Sequence, residues 1–397
     1  MIAEAGGERR RLREVLGAGV VDSFGMALGW TVVVLLGVAR GGLAEAALYN
    51  AAMLAGVVLS APVTGWLSGR FSGRTLLRGA GGVEAVLRIG VLGGLLAGLP
   101  AGLIAAGVVV MHVAAWAGFA GMRAEVTAVD ASPRSMTRYA LWIAAIEAVG
   151  TGLAAMLPAG AGGAPAGGWL VAVFLVYAGS LVPTLLVARR ARIGPRTHPD
   201  PPGSSRRRVV SGRLLAAGGG IMLLASGPAL LATPLTTELH GRTWVAGAAA
   251  AFSLGCLLSS GAVEALGRTR LPAVLRWALW GLGMVVGWIG APLHPGSVLL
   301  AQFLAGVSQS AFEGDMDARV AEEVPPACVT TALAYSASTR ALGGAIAVRV
   351  LPMLVAAQAV GTAASAEVVL LGAGSLLTWA LTAVRLPRHA APARLWP

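Results

Sequence analysis

Long apolar stretches separated by short polar segments run through the whole sequence. A helix needs about 20 apolar residues to cross a bilayer, and runs of this length predict membrane-spanning helices. The sequence offers twelve such stretches, and we therefore predict an all-α integral membrane protein. The predicted spans cover residues 15–38, 43–68, 79–99, 101–122, 136–158, 169–188, 214–236, 243–265, 271–291, 296–317, 328–356 and 366–386.

The arginines in the polar segments predict the orientation of these spans. If the chain starts in the cytoplasm, both tails and every loop after an even-numbered span are cytoplasmic. Eight arginines fall between Arg189 and Arg213 alone, whereas only Arg40 and Arg242 fall in the outer loops. Cytoplasmic loops of membrane proteins carry an excess of basic residues. We therefore expect a multi-pass protein of the plasma membrane with both termini in the cytoplasm.

Matching residues recur at a constant offset of 194 positions. Gly73-Arg74 recurs as Gly267-Arg268, and Gly150 recurs as Gly344. An offset near half the chain length indicates an internal repeat, as in transporters built from two related bundles. The sequence therefore predicts two six-helix bundles.

A proline-rich segment near the middle of the chain predicts where the two bundles join. Residues 189–213 hold four prolines beside serines and arginines, a composition typical of an extended linker. The expected organisation is a cytoplasmic tail at residues 1–13, an N-terminal bundle at 14–188, the linker at 189–213, a C-terminal bundle at 214–386 and a second cytoplasmic tail at 387–397.

The composition excludes an ordinary soluble protein. The chain is 56% hydrophobic and 12% charged, whereas soluble domains carry about 25% charged residues. Its net charge of +12 comes from arginines in loops between the spans, which argues against nucleic acid as a partner and for an anionic lipid surface. Cys256 and Cys328 both lie in apolar surroundings, so we expect no disulfide, metal site or cofactor.

A glycine- and arginine-rich stretch after the second span carries a resemblance to a known family. Residues 65–78 read Gly-Trp-Leu-Ser-Gly-Arg-Phe-Ser-Gly-Arg-Thr-Leu-Leu-Arg, and a partial echo lies at residues 260–270, after the eighth span. Two such loops, set in a repeated hydropathy pattern, resemble the major facilitator superfamily of secondary transporters. The resemblance implies two six-helix bundles around a central cavity and transport by alternating access.

In the resembled family these loops help to lock the two bundles together on the cytoplasmic side. Gly65 and Arg70 fit the family motif in the first copy, but Gly69 stands where the family has aspartate. Glu264 and Arg268 keep the acidic and basic positions of the second copy. The resemblance therefore implies an asymmetric latch in which Glu264 carries the charge pairing. The expected gate residues are Gly65, Arg70, Arg74, Glu264 and Arg268.

Ionisable side chains inside the spans are candidates for substrate binding and proton coupling, because such groups are costly in a bilayer. Asp22 lies in the first span, Glu147 near the middle of the fifth and Arg340 near the middle of the eleventh. The resemblance places the fifth and eleventh helices around one cavity, where a carboxyl group can exchange protons near neutral pH. The alternative is a structural salt bridge that joins Arg340 to Glu147 or to Asp22.

Other polar and aromatic residues of the spans are weaker candidates. His112 in the fourth span is a further coupling candidate, although a lone histidine in an apolar span is more often a hydrogen-bonding partner of a neighbouring helix. Aromatic side chains could line the cavity, and the alternative for them is packing or anchoring at the membrane surface. The cavity-lining candidates are Trp30, Trp116, Trp142 and Tyr335.

Two further groups of charges have structural interpretations. Glu84 and Arg88 are four residues apart, so one helix face can hold both as a pair, and we expect the arginine to extend to the inner membrane surface. Glu313, Asp315 and Asp317 end the tenth span. We expect these three acids to pair with arginines of the loops.

The leading interpretation is a monomeric secondary transporter that moves a small organic molecule by alternating access, with protons as the coupling ion and efflux as the direction. Two features common in drug antiporters of the resembled family are missing, since the fourth span has no arginine before Arg123 and the fifth has no Gly-Pro. An uncoupled facilitator or importer is therefore the alternative within transport. A polytopic membrane enzyme is disfavoured because no span holds a catalytic pair or metal-ligand spacing. A membrane sensor has only the long linker in its favour.

Overall fold

A computed structural model of the chain describes residues 2–68, 70–129, 133–158, 160, 166–191, 211–269, 271–323 and 329–385. Every regular element in these ranges is a helix, and seven helical stretches are long and apolar enough to cross a membrane by length and composition. The chain is therefore a helical multi-pass membrane protein. Gly69, Cys328, most of the linker and the C-terminal tail lie outside the described residues.

The α-helices are α1 (Ile2–Ser68), α2 (Gly73–Leu96), α3 (Ala101–Val129), α4 (Pro133–Met156), α5 (Gly167–Gly179), α6 (Val182–Ala188), α7 (Gly212–Ala225), α8 (Gly227–Leu230), α9 (Ala232–His240), α10 (Thr243–Gly267), α11 (Ala273–Val286), α12 (Pro295–Glu323), α13 (Val329–Leu354) and α14 (Val360–Arg385). Short 3₁₀ turns at Gly287–Gly290 and Ala357–Ala359 extend α11 and precede α14.

Helix α1 is a hairpin of two arms. Its backbone leaves helical geometry at Gly42 and the residue before it, and Gly42 has a φ of 62°. Glycine adopts this left-handed conformation without the steric cost that a side chain would add. Close to the kink, Gly37 lies against Tyr49, so residues 2–40 and 43–68 pack side by side. The reversal falls between the first two spans predicted from the sequence.

The first helix begins earlier than the sequence indicates. Residues 2–13, expected to form a polar tail, are the start of α1 from its first described residue. Arg11 explains the difference, because its buried guanidinium donates hydrogen bonds of 2.9 Å to Glu125 Oε1 and 3.0 Å to the backbone oxygen of Val187. These contacts tie the beginning of α1 to α3 and to the last turn of α6. Pairing and hydrogen bonding of this kind offset the cost of burying a charge.

Two of the predicted spans are interrupted helices. The segment from α7 to α9 breaks at Ser226 and at Leu231. Pro228 lies in the first turn of α8, where its missing N–H costs no hydrogen bond. Helices α5 and α6 are separated in the same way, with Pro183 in the first turn of α6. Proline at a helix start therefore shapes both segments.

A close helix crossing at a glycine occurs in each half of the chain, and the residues that the two glycines meet are separated by the offset of the sequence repeat, although the glycines themselves are not. Between α1 and α3, Gly56 lies against the backbone of Val109. Between α10 and α12, Gly255 lies against the backbone of Phe303, which follows Val109 by 194 positions. Small residues at a crossing let two backbones approach, which is how helices associate in lipid.

The two halves of the chain meet at one end of the helices. We call residues 2–191 the N-terminal half and residues 211–385 the C-terminal half. At the end that carries the loops predicted to be outside, Leu43 of the N-terminal half belongs to the same buried cluster as Leu235, and Arg242 donates a hydrogen bond to α4. These contacts join the two halves at this end of the helices.

Candidate functional site

Glu147 lies on the inner side of α4 although its side chain is exposed. Helix geometry turns each residue by about 100°, which puts Glu147 beside the buried Ile143 and Ala154. The large apolar side chains that α4 exposes lie on the other side of the helix, and these are Trp142, Val149, Leu153 and Met156. We infer that the lipid-facing side of α4 is the apolar one and that Glu147 faces the space between the halves.

The neighbours of Glu147 come from both halves. One turn along α4, Thr151 Oγ1 lies 3.3 Å from Thr31 Oγ1 of α1. On the other side, Cys256 of α10 lies near Glu147. Among the described residues, the Glu147 carboxylate makes no hydrogen bond or ion pair. An unpaired carboxylate is therefore held at the boundary between the two halves.

A second carboxylate approaches the same place from the C-terminal half. Glu313 of α12 lies near Cys256, which also lies close to the Ser310 side chain. Gln309 Nε2 donates a 3.1 Å hydrogen bond to Glu313 Oε1. Cys256 thus has one acid from each half nearby. We call Glu147, Cys256, Gln309, Ser310 and Glu313 the central polar site.

Arg340 does not pair with Glu147 or with Asp22, which were the structural alternatives suggested by the sequence. Its Nη1 donates hydrogen bonds of 2.7 Å to Asp317 Oδ1 and to Ser336 Oγ, and its Nη2 reaches Asp317 Oδ2 at 3.3 Å. Arg340 therefore joins α13 to α12 within the C-terminal half.

Asp22 pairs instead with Arg88, across α1 and α2. The distance from Arg88 Nη2 to Asp22 Oδ1 is 2.6 Å, and Arg88 also binds Glu84. The pairing of Glu84 with Arg88 was predicted, but the extension of Arg88 to the membrane surface is wrong. Its side chain is 1% exposed because both acids and the α5 backbone hold it inside the N-terminal half.

The acids that end the tenth predicted span have their partners mainly on helices. Asp315 accepts hydrogen bonds from Arg276 Nη2 at 2.8 Å and from Trp277 Nε1 at 3.1 Å, both in α11. Asp317 is bound by Arg340 of α13. The expected partners were loop arginines. The helices pack close enough to supply the guanidinium groups themselves.

The aromatic candidates separate into two groups. Trp30 meets the His112 ring edge-on at a centroid distance of 4.8 Å, and His112 Nδ1 lies 3.0 Å from the backbone oxygen of Val108. Trp116 is 42% exposed and packs edge-on against Phe119 at 5.5 Å. Trp30 and His112 therefore form a polar–aromatic pair inside the N-terminal half, and Trp116 is partly exposed beside Phe119.

Trp142 and Tyr335 have different surroundings. Trp142 is 61% exposed on the apolar side of α4, away from Glu147. Tyr335 is 55% exposed and shares one side of α13 with the exposed Leu342 and Ile346. Exposure among large apolar side chains is typical of contact with lipid.

The gate residues predicted from the resemblance lie at the end opposite Arg242. Arg70 stacks over the Trp66 ring at 4.0 Å, and Arg74 is exposed in the first turn of α2. Arg268 Nη2 lies 2.7 Å from Glu264 Oε1 within α10, with both side chains more than 70% exposed. Gly65 lies near the end of α1. In this conformation the Glu264 charge is therefore engaged by its own helix.

Sequence reasoning missed one buried and one partly buried carboxylate. Glu125 is fully buried against Arg11. The sequence feature that could have revealed it is its position four residues before the end of a long apolar helix. Glu367 lies in α14 with a buried Oε2 that has no hydrogen-bond partner among the described residues. No group of three His, Cys, Asp or Glu side chains in the described ranges is placed to hold a metal ion.

No protein-family model matches the chain, and no curated protein matches it in sequence. Solved structures match its fold over nearly the whole length. The nucleoside transporter NupG gives a TM-score of 0.70 at 13% identity, covering 93% of this chain and 99% of that one. The inward-open xylose transporter XylE from E. coli gives a TM-score of 0.62 at 14% identity, covering 91% and 94%.

A bacterial homologue of the iron transporter ferroportin matches in two conformations. The inward-facing structure gives a TM-score of 0.65 at 16% identity, covering 93% of this chain and 98% of that one. The outward-facing structure gives 0.60 at 18% identity, covering 94% and 99%. The chain therefore shares the fold of these membrane transporters.

Proposed function

We propose that this chain is a secondary active transporter that moves a small organic molecule out of the cell by alternating access, with protons as the coupling ion. The observation that carries the proposal is Glu147, an unpaired carboxylate on the inner side of α4, near the α10 residue Cys256. A site between two bundles is exposed to each side of the membrane in turn when the bundles rock. A carboxylate in that place can carry a proton from one side to the other.

We also propose a monomer with twelve membrane-spanning helices in two six-helix bundles, divided as the sequence predicts. The hairpin in α1 supports this count, because it supplies two spans from one continuous helix. Treating the interrupted segments α5–α6 and α7–α9 as one span each brings the total to twelve. The crossings of α1 with α3 and of α10 with α12 support the relation between the bundles, because Val109 and Phe303 at these crossings are 194 positions apart.

Labelling of single cysteines tests the proposed topology in the plasma membrane. Cys256 and Cys328 are first replaced by serine, and a cysteine is then placed at Ser204 in the linker. We expect an impermeant thiol reagent to leave this cysteine unlabelled in intact cells and to label it after lysis. A cysteine at Ala161, in the proposed outer loop, is the matched control and is expected to react in intact cells. Labelling of the Ser204 position from outside contradicts the topology.

The conformation of the structure is consistent with a state open to the cytoplasm. The halves meet near Arg242, at the proposed outer end, while Glu264 and Arg268 at the other end are exposed. The ferroportin homologue matches better in its inward-facing form, with a TM-score of 0.65 against 0.60. We therefore propose that the central polar site communicates with the cytoplasm in this structure.

The solved structures that share this fold are named as transporters, which favours transport over the function of a membrane enzyme or sensor. A nucleoside transporter, a xylose transporter and a bacterial homologue of an iron transporter share this fold. The fold therefore leaves the substrate open, and the chemistry of the site has to define it. An uncoupled facilitator or importer remains the alternative. The response of transport to a proton gradient distinguishes it from the coupled exporter.

Transport in proteoliposomes tests the proposal. Compounds that raise the melting temperature of the purified protein in a panel of small organic molecules are selected first. Their movement is then followed with and without a pH gradient, for the wild type and for Glu147→Gln. We expect the gradient to drive wild-type transport against a concentration difference. The variant should lose this uphill transport and keep exchange of labelled for unlabelled substrate.

Glu367→Gln is the matched control, because it replaces a partly buried span carboxylate that lies in α14, away from the central polar site. We expect this variant to keep uphill transport. Downhill movement that ignores the pH gradient in the wild type supports the facilitator. Equal uphill transport by the wild type and Glu147→Gln contradicts the coupling role of Glu147, and the absence of transport for every selected compound contradicts the transporter itself.

A further inference from the structure

Arg88 is the centre of a charged network inside the N-terminal half. Its Nε donates a 2.9 Å hydrogen bond to Glu84 Oε1, its Nη2 binds Glu84 and, at 2.6 Å, Asp22 Oδ1. Its Nη1 donates to the backbone oxygen of Tyr177 at 2.8 Å and to Ser180 Oγ at 2.9 Å. We call Asp22, Glu84 and Arg88 the triad. It joins α1 to α2, and through Arg88 to the end of α5.

The triad contains two carboxyl groups and one guanidinium. The side chains of Arg88 and Glu84 are 1% and 3% exposed, so water does little to screen them. With both acids ionised, the network would hold one uncompensated negative charge in a medium of low dielectric. Such a charge costs several kcal/mol, and a proton removes the cost. The count of charges therefore calls for one bound proton.

Among the side chains that the structure describes, the other titratable groups around the triad do not supply a second positive charge. Tyr177 of α5 and Tyr139 of α4 are buried phenols, which are neutral or negative. His112 of α3 is buried, and its imidazole is placed edge-on to a tryptophan ring and beside a backbone oxygen. Arg123 lies over the ring of Phe119, at 5.8 Å from its centroid, and Phe119 in turn stacks on Tyr139.

We propose that the triad is a proton-binding site and that Asp22 is the group that carries the proton. Arg88 makes two hydrogen bonds to Glu84 and one to Asp22, so Glu84 is its stronger counter-ion. Asp22 is also the more accessible acid, with 24% of its side chain exposed against 3% for Glu84. A proton from water therefore reaches Asp22 first. The more deeply buried Glu84–Arg88 ion pair keeps a net charge of zero.

Protonation of Asp22 changes what holds α1 in place. The ionised carboxylate ties α1 to α2 through Arg88, whereas the neutral carboxyl group loses most of that attraction. The same helix contacts α4 through Thr31 and Thr151, one turn from Glu147. The triad is thus a second proton site, separate from Glu147. Helix α1 connects the two sites, because it carries Asp22 and contacts α4 near Glu147. Its use in transport rests on the proposed function, but its binding of a proton does not.

Infrared difference spectroscopy of the purified protein in liposomes tests the proton site without any substrate. The sample is titrated with acid and base, and the C=O stretch of a protonated carboxyl group is followed. We expect the wild type to show one such band from the triad at neutral pH. Aspartate labelled with carbon-13 in its side-chain carboxyl group should shift that band to lower frequency. A band that is insensitive to this label places the proton on a glutamate and overturns the assignment to Asp22.

Asp22→Asn and Glu84→Gln are each expected to remove the band, because either change leaves Arg88 with one counter-ion and no excess charge. Glu322→Gln is the control, because Glu322 is an exposed acid away from the triad, and this variant should keep the band. A wild-type spectrum without the band, or a band that survives both triad substitutions, overturns the proposal. The readout is independent of transport, so a triad that binds its proton in a protein that proves to be uncoupled leaves the proton site intact and refutes only the proposed coupling.

Discussion

Arg242 Nη2 donates a 2.8 Å hydrogen bond to the backbone oxygen of Ala154, across the boundary between the two halves. Ala154 lies in the last turn of α4, where carbonyl groups have no partner further along the helix. A cation at a helix C-terminus is favourable for the same reason. The other arginine of the proposed outer loops, Arg40, donates a 2.7 Å bond to the backbone oxygen of Leu99 within the N-terminal half. Of these two bonds, only that of Arg242 joins the halves.

Loss of the Arg242 side chain should therefore open the outer end. A hydrogen bond from a charged group contributes about 1.5–3 kcal/mol, and its removal by Arg242→Gln shifts the balance toward the outward-open state. Spin labels on the outer ends of α4 and α10 measure the distance, and we expect a longer population to appear. Arg40→Gln is the control, because its bond lies within one half. An unchanged distance distribution in Arg242→Gln shows that the bond does not hold the outer end closed.

The buried pair at the start of α1 should dominate the stability of the N-terminal half. Arg11 and Glu125 are 8% and 0% exposed, so Arg11→Ala leaves a buried carboxylate without this partner. Breaking such a pair costs about 3–5 kcal/mol. Arg10, which pairs with Glu14 and is 82% exposed, gives the matched comparison, and Arg10→Ala should cost about 0–1 kcal/mol. Thermal unfolding in detergent measures both, and similar melting temperatures for the two variants contradict the role of Arg11.

The span pattern was enough to predict a helical membrane protein, because apolar length is a local property of the sequence. The partners of the charges are not local. Asp22 and Arg88 are 66 residues apart, and only the packing of α1 against α2 brings them together. The i, i+4 spacing of Glu84 and Arg88 predicts a pair but not its depth. The burial of Arg88 depends on Tyr177 and Ser180, which the spacing cannot reveal.

The triad should respond non-additively to the removal of its charges. Asp22→Asn or Glu84→Gln alone leaves Arg88 with one counter-ion, so each single variant should keep a melting temperature close to that of the wild type. The double variant leaves Arg88 buried without a carboxylate, which costs about 3–5 kcal/mol. A double-mutant cycle on thermal stability measures the coupling. If the two single effects simply add, the acids do not share the guanidinium.

The cytoplasmic latch expected from the sequence has to act in the other conformation. In this structure Glu264 lies 2.7 Å from Arg268 of its own helix, and its side chain is 71% exposed. An exposed pair of this kind contributes little to stability, so Glu264 is free to exchange its partner when the proposed cytoplasmic end closes. Near Arg70 or Arg74 the carboxylate would then be partly desolvated, where charge-assisted hydrogen bonds are stronger.

Glu264→Gln should therefore destabilise the outward-open state by on the order of 1–3 kcal/mol and leave the inward-open state unchanged. Spin labels on the cytoplasmic ends of α2 and α10 report the closure directly, and we expect the short-distance population to fall in the variant. Glu322→Gln is the control, because Glu322 forms a comparable exposed pair with Arg319 near the end of α12. An equal loss of the short distance in both variants points to general surface charge, and no loss in Glu264→Gln shows that Glu264 is a solvated acid without a part in the latch.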